Sequence, residues 1–398
     1  MVKKSRSSPH VFVPPAPSAG RAPSLSTLLA EARSRHRSGR LPEAEQLYRE
    51  VLRQDPRQAG ALHFLGVLAL QMGHPGPAAE LMAQAVAIDP RDADAHANLG
   101  LALHAVGRAA EALASLERAA SLAPASAEVA GNRGIVLSAL GRDAEALIAL
   151  DEAAARQPAN PEWHFARGNA LLALRRPEEA VQACDACLQL WPEHLDAGIQ
   201  RGNAHRLLRK FPQALADFDA VLARAPNLAG VASNRADVLM DMKRYAQAAQ
   251  GYAQVLALEP SYPYALGKRL HARAMACDWR DWHADVALVE AGVQAGQRVI
   301  EPFAFSAIAH SPARLLDCAR LFALDQFPPQ APRVAPTHRH AGHAKIRLGY
   351  LGGEFRNQAT AHLAVELFEL HDRTRFELIA FDNGWDDGSE LRRRIVAA

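Results

Sequence analysis

Pro56, Pro90, Pro124, Pro158, Pro192, Pro226 and Pro260 recur at one constant interval, seven in succession, and so print a 34-residue period along the chain. A period of that length marks a supersecondary unit repeated along the chain, so the fold is an array of near-identical pieces rather than one closed core. Counting the unit from Leu25, so that each proline falls at position 32, places seven units over residues 25–262. Position 20 is then always alanine: Ala44, Ala78, Ala112, Ala146, Ala180, Ala214 and Ala248. Position 8 is Ala32, Gly66, Gly100, Gly134, Gly168, Gly202 and Ala236. Two columns of small residues twelve positions apart are what a pair of antiparallel helices needs where the backbones come closest. Position 15 is Gly39, Gly73, Gly107 and Gly141, as for a left-handed residue closing a first helix, then Arg175, Arg209 and Lys243. Position 24 reads Tyr48, Met82, Leu116, Leu150, Cys184, Phe218 and Tyr252, and with position 27 it forms the buried side of the second helix. Hydrophobic residues make up 49% of the chain and aromatics only 6%, so small aliphatic side chains do most of this packing.

This wording resembles the tetratricopeptide repeat, whose 34-residue helix–turn–helix units stack into a right-handed superhelix. The resemblance covers well over half of the chain. One hairpin cannot bury its apolar face alone, so the units stack and leave a groove lined by first helices. Such a groove binds; it does not catalyse. Position 6 supplies Asn98, Asn132 and Asn234, with Gln200 in the same column, and position 9 supplies Asn169, Asn203 and Asp237. An amide that recurs once per unit makes a ladder of donors and acceptors, suited to holding an extended peptide by its backbone. The alternative is that these amides are common first-helix wording with no partner. Proteins or peptides are the expected partners, and the repeats also offer faces for oligomerisation.

The 45 Lys and Arg against 43 Asp and Glu give a net charge of +2, short of the footprint of a nucleic-acid binder. No apolar run is long enough to span a membrane, and Val11-Phe12-Val13 runs at once into Pro14 and Pro15, too broken for a signal-peptide core. Four cysteines form no secreted disulfide framework, so the cytoplasm is the expected location. Cys184-Asp185-Ala186-Cys187 is a C-x-x-C, but both cysteines fall in core columns and read as small buried hydrophobes. His338, His340 and His343 lie in a Pro-rich stretch over 328–344 that reads as a linker, and residues 1–24, basic and rich in Ser and Pro, read as a disordered tail. No metal and no cofactor is expected.

After Pro260 the columns stop, while helical wording continues as a cap and junction over 263–327. Trp279 and Trp282 read there as packing anchors, beside an apolar stripe of Val286, Leu288, Val289 and Val293. From Lys345 a strand ends in Gly352-Gly353, a helix follows over Ala361 to His371, a second strand over Phe376 to Phe381, and a second helix from Ser389. This order opens a parallel α/β domain. The glycines fit neither G-x-G-x-x-G nor a phosphate-binding loop. The predicted class is mainly α: a tetratricopeptide-repeat superhelix, then capping helices, then the first β-α-β-α over 345–398.

Lys345-Ile346-Arg347-Leu348-Gly349-Tyr350, Glu354-Phe355, Phe368-Glu369-Leu370-His371-Asp372, Phe376-Glu377 and Asp386-Asp387-Gly388 resemble the opening of the catalytic region of the O-linked N-acetylglucosamine transferases. These are glycosyltransferase family 41, with its bacterial SPINDLY-like members. Repeats, a junction with Cys277-Asp278-Trp279 and this strand occur there in the same order. The resemblance implies a GT-B fold of two Rossmann-like lobes, UDP-N-acetylglucosamine as donor, and a Ser or Thr of a protein as acceptor. The family usually places a histidine where this chain has Gln358, and an amide is no general base at neutral pH. Glu354, Gln358 and His362 are the cleft candidates that follow from the resemblance. Residues 345–398 would be only the start of the first lobe, so the chain by itself is expected not to hold a UDP-sugar productively. Two readings stay open: an O-GlcNAc transferase-like protein whose repeats recruit the acceptor, and a non-enzymatic scaffold for protein–protein interaction.

Overall fold

The computed structural model describes residues 24–328 and 345–398, and the chain divides into two compact units after Gln326. His338, His340 and His343, and the tail before Ser24, lie outside the described residues.

The first unit opens with seven hairpins: α1 (Leu25–Arg37) and α2 (Leu41–Gln54), α3 (Ala59–Gln71) and α4 (Pro75–Ile88), α5 (Ala93–Ala105) and α6 (Ala109–Leu122), α7 (Ala127–Ala139) and α8 (Asp143–Arg156). They continue as α9 (Pro161–Ala173) and α10 (Pro177–Leu190), α11 (Leu195–Leu207) and α12 (Phe211–Arg224), α13 (Ala229–Asp241) and α14 (Tyr245–Leu258). Every boundary recurs in step with the prolines, because the same local signals set it each time. Six of the seven first helices start at a side-chain cap: Ser24, Gln58, Asp92, Ser126, Asn160 and His194 each accept a hydrogen bond from a backbone N–H of the first turn, whereas α13 starts at Leu228 without one. The Ser, Asp and Asn caps each contribute about 1 kcal/mol. First helices end at position 15, where Gly39, Gly73, Gly107 and Gly141 have φ of 76°, 79°, 79° and 72°. Arg175, Arg209 and Lys243 take the same left-handed conformation at 59°, 56° and 59°. Second helices stop before the prolines, since the residue ahead of a proline is driven out of the helical region: Asp55 sits at φ −138°, ψ 96°.

The small columns meet the large one. A Cβ on Gly100 would lie 2.6 Å from Cγ of Leu116 and 3.2 Å from the carbonyl oxygen of Ala112, which joins positions 8, 24 and 20 in one contact. Gly66 faces Met82, Gly134 faces Leu150 and Gly202 faces Phe218 in the same way. Where position 8 is Ala236, the room comes from Gly251, on which a Cβ would approach that of Ala236 to 2.9 Å. Cys184 and Cys187 are buried in these columns, and burial pushes their thiols up to about 12 and about 11, so neither is a ready nucleophile or ligand.

Past Pro260 the register persists for one more turn. Cys277, one full period after Lys243, is again left-handed at φ 56°, between α15 (Ala265–Met275) and α16 (Trp282–Gln294). A buried carboxylate ties this pair together: Asp285 accepts from Arg269 at 2.8 Å and from Arg273. The same triad occurs two units earlier, where Asp217 accepts from Arg201 at 3.0 Å and lies 2.9 Å from His205. Then come α17 (Pro302–Ser306) and α18 (Pro312–Gln326), around a small core of Leu270, Val289, Val293, Ile300, Phe305 and Cys318. Trp282 packs against that core, but Trp279 is 57% exposed and meets Trp282 edge to face, so it is not the anchor the sequence predicts. Leu288 likewise faces solvent, because the stripe of α16 is narrower than its four apolar residues.

The second unit is β1 (Ile346–Gly352), α19 (Ala359–Glu369), β2 (Phe376–Asp382) and α20 (Glu390–Ala397). The strands are parallel, with Ile346 opposite Phe376. Phe355, Val365, Phe368, Leu391 and Ile395 form the core between strand ends and helices, and the Ser389 side chain caps α20.

Candidate protein-binding groove

Successive first helices pack on one another, α1 on α3 and so on to α11 on α13, whereas second helices pack on the first helices of their own and the following unit. The first helices therefore line the inner, tighter side of the stack. Positions 2, 5, 6, 9, 12 and 13 fall on one stripe of each first helix, since residues three, four and seven apart share a face.

The amides predicted for this stripe are all half-buried. Some are knitted across units. Asn203 donates to Gln200 at 3.2 Å and accepts from Asn234 at 3.3 Å, joining α11 to α13. Asn98 donates to Nε2 of His63 at 2.9 Å, so that ring carries its proton on Nδ1, 3.6 Å from Asp92. Burial holds His63 below the usual histidine range against the pull of Asp92, which keeps it a neutral acceptor. Asn169 has a buried carbonyl oxygen with no hydrogen-bond partner among the described residues, and Asn132 makes no side-chain hydrogen bond there. The amides thus form a part-connected ladder, not a row of free groups.

Two further features of the stripe escaped the reading of the sequence. Position 2 carries Asp94, Glu128, Glu162 and Asp196 in four consecutive units, all exposed. Its signal was the same period as the prolines, masked because acids are common in the first turn of any helix. At the seventh unit, Asp237 accepts from Lys268 at 2.9 Å and from the Tyr252 hydroxyl, and Arg206 bridges Asp237 and Asp241 at 3.3 and 2.7 Å. These groups wall an open cavity of about 520 Å³ that Ile300, Phe303 and Ala304 also line. Burial and the neighbouring Asp237 together push the Tyr252 hydroxyl far above its ordinary range.

In the second unit, the three cleft candidates sit beyond the carboxyl end of β1, where ligands of parallel sheets bind. Glu354 accepts from the Thr360 hydroxyl and lines a cavity of about 390 Å³ with Tyr350, Phe355 and Phe368. Gln358 stands at the start of α19 without a side-chain capping bond, and Nε2 of His362 lies 2.9 Å from Oδ1 of Asn357. Neither Gln358 nor His362 lines that cavity. The loops after the two strands are joined by Asn357 N–H to Asp387 at 2.8 Å and by Arg356 stacked 3.6 Å over the Trp385 ring.

Among the described residues no helix is long and apolar enough to cross a membrane. Models described as tetratricopeptide repeat match residues 36–102, 93–126, 132–194 and 199–265. The chain is 28% identical over 140 residues to a probable UDP-N-acetylglucosamine–peptide N-acetylglucosaminyltransferase, SEC, of Arabidopsis thaliana, covering 32% of this chain and 14% of that protein. It is 43% identical over 65 residues to the cellulose synthase 2 operon protein C of Komagataeibacter xylinus, covering 16% and 5%. The matched stretches are thus a small part of either relative's length. The solved APC/C hetero-tetramer Cut9–Hcn1 is similar with a TM-score of 0.53 and 18% identity, over 63% of this chain and 49% of that one, a likeness of fold alone. With repeat models over more than half of its length and a solenoid of hairpins in one strict register, the chain belongs to the tetratricopeptide repeat family.

Proposed function

We propose that the inner groove captures extended segments of other proteins as acceptors for O-linked N-acetylglucosamine transfer from UDP-N-acetylglucosamine. In this reading the protein is a cytoplasmic transferase of the bacterial SPINDLY-like kind, and residues 345–398 are the first strand–helix–strand–helix of its sugar-transfer lobe. The observation that carries the capture is the composition of one stripe: half-buried amides at positions 6 and 9 beside exposed carboxylates at position 2. Amides hold a peptide backbone without regard to side chains, and the carboxylates favour segments bearing Lys or Arg. Support for transfer comes from the similarity to the Arabidopsis protein and from the order of elements over 345–398. Transfer needs the acceptor hydroxyl aligned and its proton removed. Glu354, at the carboxyl end of β1 and lining a cavity, is the residue we assign to contact with the acceptor.

One observation favours the second reading, a scaffold that binds without modifying. Gln358 offers an amide where the resembled transferases usually have an imidazole, and His362 is engaged by Asn357. The test has two arms. Replacing Asn98, Asn132 and Asn234 together by Ala is expected to weaken binding of a labelled, proline-spaced lysine peptide about tenfold, with helicity unchanged; unaltered affinity rejects the ladder. Labelling of captured proteins by the whole protein with UDP-N-acetylglucosamine supports transfer, and capture without labelling supports the scaffold.

A further inference from the structure

We infer that the first two units carry a second seat of opposite sign, built on Arg33 and Arg37, for a run of Asp or Glu side chains in the captured segment. The inference rests on the groove being a protein-binding surface. Arg33 and Arg37 occupy positions 9 and 13 of α1, one turn apart on the inner stripe, and both are exposed. The other arginines of α1 and α2 are paired: Arg35 with Glu31 and Glu43, Arg49 with Glu45, and Arg53 with Glu50. Arg33 and Arg37 have no carboxylate partner among the described residues, and residues 1–23 contain no Asp or Glu to supply one.

The seat is also shaped. The Arg33 guanidinium lies 4.6 Å over the Phe64 ring, which in turn stacks on Tyr48. Stacking spends the face of a guanidinium and leaves its N–H edge for an anion. His36 stands between the Tyr48 hydroxyl, at 3.3 Å, and the Gln71 carbonyl oxygen, at 2.9 Å. That arrangement uses the Gln71 acceptor and leaves its amide N–H groups to donate. The fields of Arg33 and Arg37 both reach the Tyr48 hydroxyl and lower its pKa, partly opposing burial, which holds it up at about 12.

Along the groove the sign then reverses. Positions 9 and 13 are arginines in the first unit, whereas position 2 carries the exposed carboxylates Asp94, Glu128, Glu162 and Asp196 in the third to sixth units. A nucleic-acid strand, negative along its whole length, would be repelled over the third to sixth units. A polypeptide with separated acidic and basic blocks fits both stretches, and its direction in the groove is thereby set. Both guanidiniums stand open to solvent, which suits a run of acidic side chains better than one terminal carboxylate.

The test is fluorescence anisotropy of the full chain with a labelled, C-terminally amidated peptide that joins a glutamate block to a proline-spaced lysine block. The control peptide has glutamine for every glutamate. Wild type is expected to prefer the glutamate peptide about tenfold, the ratio given by one or two charge-assisted contacts. Arg33→Gln with Arg37→Gln should abolish that preference while leaving the glutamine peptide's affinity and the circular dichroism unchanged. Arg33→Glu with Arg37→Glu should invert it in favour of a peptide with lysine in place of glutamate. Equal binding of both peptides by wild type overturns the seat and leaves the groove reading intact. Preference that returns only with a free C-terminus, or displacement by a single-stranded oligonucleotide, overturns it in favour of a terminal carboxylate or a nucleic acid. Failure of every peptide to bind rejects the groove reading and the seat with it.

Discussion

The contact between Gly100 and Leu116 is made again by Gly66 with Met82, Gly134 with Leu150 and Gly202 with Phe218. In the α/β unit nothing recurs: Ile346 pairs with Phe376 once, and one core holds two strands to two helices. The array is stabilised by near-neighbour terms that add along the chain, whereas the α/β unit depends on a few pairings between distant residues. The two also differ in what they leave open. Each repeat joins its apolar columns inside the hairpin and packs its second helix on the first helix of the next unit. The helices cover the sheet only on the side of Tyr350, while Leu351 and Phe381, of opposite parity, are 82% and 55% exposed. Repetition thus completes a surface that a two-stranded parallel sheet does not complete, since such sheets are normally covered on both faces.

Three substitutions probe this contrast. Gly100→Val drives a branched side chain into Leu116 and the Ala112 carbonyl, and is expected to destabilise the array by about 3 kcal/mol and to broaden its urea transition as neighbouring units uncouple. A sharp transition at wild-type midpoint would break the claim that positions 8 and 24 hold each unit together. Arg175→Gly relieves a left-handed residue at φ 59° and should stabilise by roughly 1 kcal/mol, read as a higher thermal midpoint; a lower midpoint would mean that the arginine side chain matters more than its backbone. The smallest effect is expected on the open sheet face. Leu351→Ser should change stability by less than about 0.5 kcal/mol and raise solubility, and a large loss would show that this face is covered in solution.

The repeat region was legible from the sequence because its information is local and printed seven times. One proline fixes each helix end, one residue at position 15 fixes each left-handed exit, and the small columns fix which helix faces meet. What escaped were pairings between charged side chains, whose spacing looks like ordinary surface composition until the backbone is in place. Arg167 reaches Asp151, Arg201 reaches Asp185 and Arg235 reaches Asp219, each sixteen residues back and each in register with the next. Asp285 escaped for the same reason, and so did the cross-unit bonding of Asn203 with Asn234. At the cleft candidates the sequence placed Glu354, Gln358 and His362 close together along the chain, but only Glu354 faces a cavity. Side-chain direction around a helix start is set by the local turn rather than by spacing, and here Asn357 draws His362 to itself.

The central claim is that partners bind the inner face of the array. A photo-crosslinking residue placed at Ile135, on the inner stripe of α7, is to be compared with one at Ile148, 61% exposed on α8, using the labelled lysine peptide as probe. Peptide joined to position 135 and none to position 148 is the expected result. Equal yield at both, or joining at 148 alone, would contradict it.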